Sequence, residues 1–349
     1  MSRVRIGIIG AGHWAVENHI PVLKGFQDAE VVAVCRMGQE QLRKVQQKFD
    51  IPFGTEDYRE LLALNNLDAV VVSSPHHVHY EHAAAALTSG RHVLCEKPMA
   101  LTSAEAKSLV SLTESRKLHF VIPYGWSFTD YATEARKGIV NGGIGKIQHV
   151  LCHMSSALRD LFNGEGAWFA TESFFVPEME TWSNPDKGGG FAYGQLTHAL
   201  GLLFWIGNLE PVEVFAFLGP SKTGVDISNA ITCRFSNGAT GMVGGAGLNP
   251  PGCPDQVDIR LFGSEGIMLL DIERPRLEVR RYDGCNLSMT MNHEPGGYSC
   301  IAPLRVLIDL ISGKAVENPA SAQLGAHVVE VLDATFRSAR SKKVESVGL

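Results

Sequence analysis

Val4-Arg5-Ile6-Gly7-Ile8-Ile9-Gly10-Ala11-Gly12-His13-Trp14-Ala15 decides the fold of this 349-residue chain. Val4–Ile9 is apolar apart from Arg5 and Gly7, which predicts a strand buried on both faces. The turn after it reads GxGxxA. Gly10 allows the tight bend, Gly12 lets a pyrophosphate approach the backbone, and Ala15 lets the next helix sit close to the strand. His13 and Trp14 complete a candidate dinucleotide site at that helix's amino end.

Working outward, strands are expected at Val31–Cys35, Ala69–Val72, His92–Cys95 and Phe120–Ile122, with a minor one near Ile51–Phe53. Helices are expected at Val16–Gly25, Gln39–Phe49, Asp57–Leu64, His79–Ser89 and Ser103–Arg116. Thr102, three residues before Glu105, reads as a helix cap. This alternation predicts an α/β fold, a Rossmann doubly wound parallel sheet, over residues 1–123. An acid at the end of the second strand would bind the ribose 2′-hydroxyl of NAD. Arg36 stands there instead. It suits a 2′-phosphate, so NADP is favoured over NAD. The alternative for Arg36 is stacking on adenine.

Beyond residue 124 the pattern changes. A helix at Thr129–Asn141 stops at Gly142-Gly143-Ile144-Gly145. Strand-like runs follow at Ile147–Ser156, Val212–Leu218, Ala230–Phe235, Thr240–Gly244, Val257–Phe262, Ile267–Asp271 and Leu277–Arg281. Consecutive strands predict a second domain, 124–349, with a mostly antiparallel sheet. Helices interrupt it at Tyr193–Ile206 and close it at Pro303–Ile311 and Leu324–Ser338. The last helix is free to pack back on the first domain. Residues 157–190 lack periodicity and are expected to form a binding loop. The tail from Ala339 is expected to fray.

Composition narrows the class. Net charge is −6 with no basic block, which argues against a nucleic-acid partner. No run approaches the ~20 apolar residues of a membrane helix. Seven scattered cysteines without a CxxC pair argue against a disulfide framework or zinc knuckle and fit a reducing cytoplasm. His79 and His82 lie one helical turn apart, but no carboxylate or cysteine set matches them, so no metal is expected.

Glu96-Lys97-Pro98 follows the strand His92–Cys95. A lysine at the carboxyl end of a parallel strand points into the crevice where ligands bind. The amino-terminal GIIGAG, Ser74-Pro75-His76-His77-Val78-His79 and Gly90–Pro98 together resemble the Gfo/Idh/MocA family, the glucose–fructose oxidoreductase and inositol dehydrogenase group. That resemblance implies a carboxyl-terminal α/β domain with a large, open, mostly antiparallel sheet that forms a dimer or tetramer interface. It also implies hydride transfer between NAD(P) and a carbinol carbon of a sugar, glycoside or cyclitol. By the same resemblance, Ser74, Pro75, His76 and His79 stand beside the cofactor. Glu96 and Lys97 touch the nicotinamide ribose and the substrate. Gly188-Gly189-Gly190 and His198 match the second domain, whereas the aspartates often found at positions 194 and 201 are glycines here.

The expected chemistry places His198 as acid/base and Lys97 as hydroxyl-binding group and charge stabiliser, with the reverse division as the alternative. Gln195 and Tyr193 are candidate hydrogen-bonding partners of the substrate. Tyr124, Trp126, Trp168 and Trp182 are candidate apolar walls for a sugar, and Arg159 a candidate partner for a hydroxyl or acid. Glu178 and Glu180 are expected to be solvated. Two other functions stay open: redox-neutral sugar processing with tightly held NAD(P), and a non-catalytic cofactor-binding sensor.

Overall fold

In a computed structural model, residues 3–290 and 297–348 are described. The chain forms two compact units. The first comprises residues 1–123, 167–181 and 300–326; the second comprises 124–166, 182–299 and 327–349.

The first unit is built on six parallel strands: β1 (Val4–Ile9), β2 (Ala29–Cys35), β3 (Phe53–Thr55), β4 (Ala69–Val72), β5 (His92–Cys95) and β6 (Phe120–Val121). Their order is β3-β2-β1-β4-β5-β6, the doubly wound arrangement expected from the alternating pattern. Ile6, Ile8, Val70 and Leu94 are fully buried, as two covered faces require. The strand order reverses between β1 and β4, and there the turns after both strands meet. Gly10 has φ +87°, and a Cβ on it would overlap the Ser74 backbone nitrogen. Only glycine permits both the dihedral and the approach.

Several local readings hold closely. The helix Ser103–Arg116 opens on a capping box in which Thr102 and Glu105 satisfy each other's backbone amides. The helix Gln39–Phe49 has the expected bounds. The minor strand falls two residues later than expected. The helix expected from Val16 begins earlier, at His13, and passes through a π-helical turn, Ala15–His19, before continuing as Ile20–Gly25. Residues 300–326 cover the edge of β6: Ile122 N donates to Ala320 O at 2.9 Å and Asn318 Nδ2 to Phe120 O at 2.8 Å. A covered edge offers no unpaired ladder.

The second unit holds a nine-stranded sheet of β7 (Ile147–Ser155), β8 (Pro211–Pro220), β9 (Asp226–Phe235), β10 (Thr240–Ala246), β11 (Gln256–Gly263), β12 (Gly266–Asp271), β13 (Arg276–Arg281), β14 (Leu287–Thr290) and β15 (Glu345–Ser346). Every pairing is antiparallel except β7 with β10. The sheet alternates buried residues with exposed or half-buried ones, most clearly in β9 and β11. One prediction fails here. The tail does not fray from Ala339: the last helix runs to Ser341, Arg337 pairs with Glu345 at 2.7 Å, and β15 adds to the edge of β8. The short polar tail is held by backbone pairing and one ion pair, which its composition does not reveal. β14 was also not anticipated.

Candidate active site

The first unit gathers the predicted cofactor residues at the carboxyl ends of its strands. Gly10 N and Ala11 N donate to Cys35 O, tying the glycine turn to the end of β2. A Cβ on Gly12 would meet nothing closer than 4.0 Å, so the space above the turn is open to a ligand. The helix begins at His13, presenting free amides toward that space. Trp14 is exposed and Ala15 fully buried. A dinucleotide pyrophosphate fits this cradle.

The β4 turn is fixed by histidines. His79 is buried, with Nε2 2.6 Å from Ser74 O and Nδ1 2.7 Å from Pro98 O, so it joins the β4 and β5 turns. Burial pushes its pKa down against these two carbonyls. His82 Nδ1 lies 2.9 Å from Ser74 Oγ, and burial lowers its pKa to about 4. Pro75 leads into a 3-10 turn, His76–Val78, and the buried His76 packs edge-on to His79 at 5.7 Å. Among the described residues no group of three or more His, Cys, Asp or Glu is arranged to hold a metal ion.

Glu96 and Lys97 are both buried at the end of β5. His19 Nε2 donates to Glu96 Oε1 at 2.9 Å, and Lys97 N to Glu96 Oε2 at 3.2 Å. Burial alone would raise the Glu96 carboxyl. The His19 hydrogen bond and charge, with Lys97 nearby, outweigh it and hold the carboxyl below its ordinary range. Sequence reasoning missed His19, whose only signal is its place in the helix after the glycine turn.

Arg36 follows β2. Its Nη1 donates to Ala11 O at 2.8 Å, and its guanidinium lies 3.8 Å from the Phe175 ring centre. Phe175 belongs to the unpatterned stretch 157–190, of which 167–181 joins the first unit. Trp168 lies in the same segment, edge-on to Phe169. It is therefore in a different unit from the other expected apolar walls.

The second unit centres on His198, buried in the helix Thr197–Gly207. Tyr124, Trp126 and Tyr298 surround the imidazole edge-on, with centroids at 5.9, 5.6 and 5.3 Å. Tyr124 Oη lies 3.1 Å from Thr197 Oγ1. The helix is preceded by a π-helical turn, Ala192–Leu196, a distortion common at functional sites. The two glycines at the family's aspartate positions have a steric cause. A Cβ at 194 would stand 2.9 Å from the Trp182 ring, and one at 201 would stand 2.6 Å from the Tyr124 ring. Aromatic rings occupy the volume that side chains would need. Gln195 is half-buried on the π turn, while the Tyr193 ring stacks on Phe336 at 4.9 Å. Arg159 is 61% exposed, with its Nε donating to Asp160 at 3.1 Å. No described contact joins it to the rings around His198.

Asp226 was also missed. Buried at the start of β9, it accepts from Ala192 N at 2.9 Å and Asn229 Nδ2 at 3.4 Å, so it holds the first turn of the His198 helix. Gly190, with φ +106°, leaves room for its other oxygen. Burial raises the Asp226 pKa to about 6.

A doubly wound sheet with an open glycine cradle defines a dinucleotide-binding protein. Residues 4–124 match the family model described as "Oxidoreductase family, NAD-binding Rossmann fold", and residues 132–269 match "GFO/IDH/MocA C-terminal domain". The chain belongs to the Gfo/Idh/MocA oxidoreductase family. It is 30% identical over 231 residues to D-xylose 1-dehydrogenase (NADP(+)) of Hypocrea jecorina, covering 62% of this chain and 56% of that protein. It is 27% identical over 274 residues to myo-inositol 2-dehydrogenase of Thermotoga maritima, covering 77% and 75%. Levoglucosan dehydrogenase, solved with NADH and L-sorbose, shares the fold with a TM-score of 0.80, at 21% identity and 99% coverage of both chains.

Proposed function

We propose that this protein transfers a hydride between a nicotinamide dinucleotide and a carbinol carbon of a sugar, glycoside or cyclitol. The observation that carries the reading is the ligand edge of the parallel sheet. There the cradle above Gly12 and the buried Glu96 and Lys97 stand at the ends of β1 and β5, on either side of the Ser74 turn. The names of the xylose and inositol dehydrogenases support the substrate class.

When bound, the cofactor supplies the hydride acceptor or donor. Gly10, Gly12, His13, Trp14 and Ala15 hold its pyrophosphate end, and Ser74, Pro75, His76, His79 and Glu96 shape the nicotinamide end. Lys97 binds the reacting hydroxyl and stabilises the developing alkoxide. His198 takes the hydroxyl proton in oxidation and returns it in reduction. Tyr124, Trp126 and Trp182 offer ring faces to the sugar's C–H bonds. NADP is favoured over NAD, because Arg36 supplies a positive charge where a carboxylate would repel a 2′-phosphate. Exposed Phe217 and Met242, with Phe215, on one face of the β8–β10 sheet support a homodimer or homotetramer. Seven free cysteines support a reducing cytoplasm.

The test is absorbance at about 340 nm, with NADP and NAD separately, against aldoses, glycosides, inositols and sugar acids. Reduction with a panel member is expected. Lys97→Ala is expected to keep cofactor binding and lose at least about a hundredfold in kcat. Bound cofactor with silence across the panel would refute hydride transfer to these substrates.

A further inference from the structure

The segment 167–181 lies far along the chain from the nucleotide edge, yet four parts of that edge grip it. His13 Nδ1, in the glycine turn, donates to Phe175 O at 2.7 Å across 162 positions. Phe174 N donates to Glu17 Oε1, in the first helix, at 2.8 Å. Lys48 Nζ, in the second helix, lies 4.1 Å from the Phe174 ring centre. Arg36, after β2, stacks its guanidinium under Phe175 at 3.8 Å.

These contacts restrict Arg36. Its Nη1 is committed to Ala11 O, and its Nε is buried without a partner among the described residues. Of the five guanidinium donors, the Nη2 pair and one Nη1 proton are left to meet a ligand. A long arginine side chain carries large rotamer freedom, and a ring against its flat face removes much of it. Glu178, exposed in the same segment, is the carboxylate whose charge acts on Arg36.

We infer that Phe175 is a positioning residue: it fixes the Arg36 guanidinium and thereby sets selectivity for an adenosine 2′-phosphate. The inference rests on the proposed role of Arg36 in NADP preference and adds to it a residue from outside the Rossmann sequence.

The test uses isothermal titration of the full-length protein with 2′,5′-ADP, which carries the 2′-phosphate, and 5′-AMP, which lacks it. Wild type is expected to bind 2′,5′-ADP about tenfold more tightly than 5′-AMP. Phe175→Leu, which keeps the bulk but not the ring, is expected to cut that ratio about fivefold, and Phe175→Ala at least as much. Phe175→Tyr should keep the wild-type ratio. The ratio is read because a merely structural defect would weaken both ligands alike. An unchanged ratio in the Leu variant, or a larger one because the ring obstructs the site, would overturn the proposal while leaving the Arg36 reading intact. If wild type binds both ligands equally and Arg36→Ala changes neither, the Arg36 reading fails and the proposal with it.

Discussion

Replacing Asp226 by Asn tests whether a buried carboxyl anchors the His198 helix. Burial raises the folded-state pKa of Asp226 from 3.8 to about 6. The folded protein therefore binds this proton more tightly than the unfolded chain, and stability falls as pH rises between the two values. Linkage over these pKa values gives a loss of about 2 kcal/mol between pH 4 and pH 7, nearly all of it below about pH 6.5. The Asn side chain keeps an acceptor for Ala192 N and cannot ionise. Other groups titrate alike in both proteins, so the difference in thermal midpoint isolates position 226. The variant is expected to gain on wild type by about 3 °C between pH 4 and pH 7, given the entropy of unfolding for a chain of this size. A difference independent of pH, or a wild type that gains on the variant over this interval, would refute the assignment of a raised pKa to Asp226.

Two further perturbations test the packing. Gly194→Ala places a Cβ 2.9 Å from the Trp182 ring and is expected to cost about 1–3 kcal/mol, partly offset by alanine's helix propensity. In a Trp182→Ala background the same change should become neutral or stabilising, so urea unfolding of the double-mutant cycle should show coupling of about 2 kcal/mol; equal effects in both backgrounds would exclude it. His19→Ala removes the side-chain partner of the buried Glu96, leaving the Lys97 amide on its other oxygen, and is expected to cost about 3 kcal/mol at pH 7, read as a drop of about 4 °C. Glu96 is held below its ordinary pKa, so its contribution is present above the carboxylate range and lost as pH falls through the folded value. The wild-type advantage over His19→Ala should accordingly shrink as pH falls through and below the carboxylate range, and an advantage independent of pH would count against a carboxylate held by His19.

What was legible in the sequence is what short-range chemistry decides. GxGxxA between an apolar run and a helix pattern locates the cradle, because φ at Gly10 and the space over Gly12 are local demands. Thr102 and Glu105 announce their cap for the same reason. His19 was not legible, because its partner Glu96 is 77 positions away and a histidine inside a helix pattern carries no signal of its own. Asp226 opens a strand and reads as a turn residue until its burial is seen. The π turns at Ala15–His19 and Ala192–Leu196 escape a periodicity argument, since each spans about one turn, too short for a period to be read. Gly194 and Gly201 read as missing acids. The rings that require them, Trp182 and Tyr124, lie on other elements.

The composition of the first unit from three separate stretches bears on how the chain is made. A ribosome adding about 5–20 residues per second delivers Phe175 and then the 300–326 cover long after β6 has emerged. Until then the guanidinium of Arg36 lacks its ring and the edge of β6 stays open, a template for pairing with other nascent chains. A transplant that ends at residue 123 would inherit both exposures permanently. One that carries 167–181 and 300–326 on grafted connections would not.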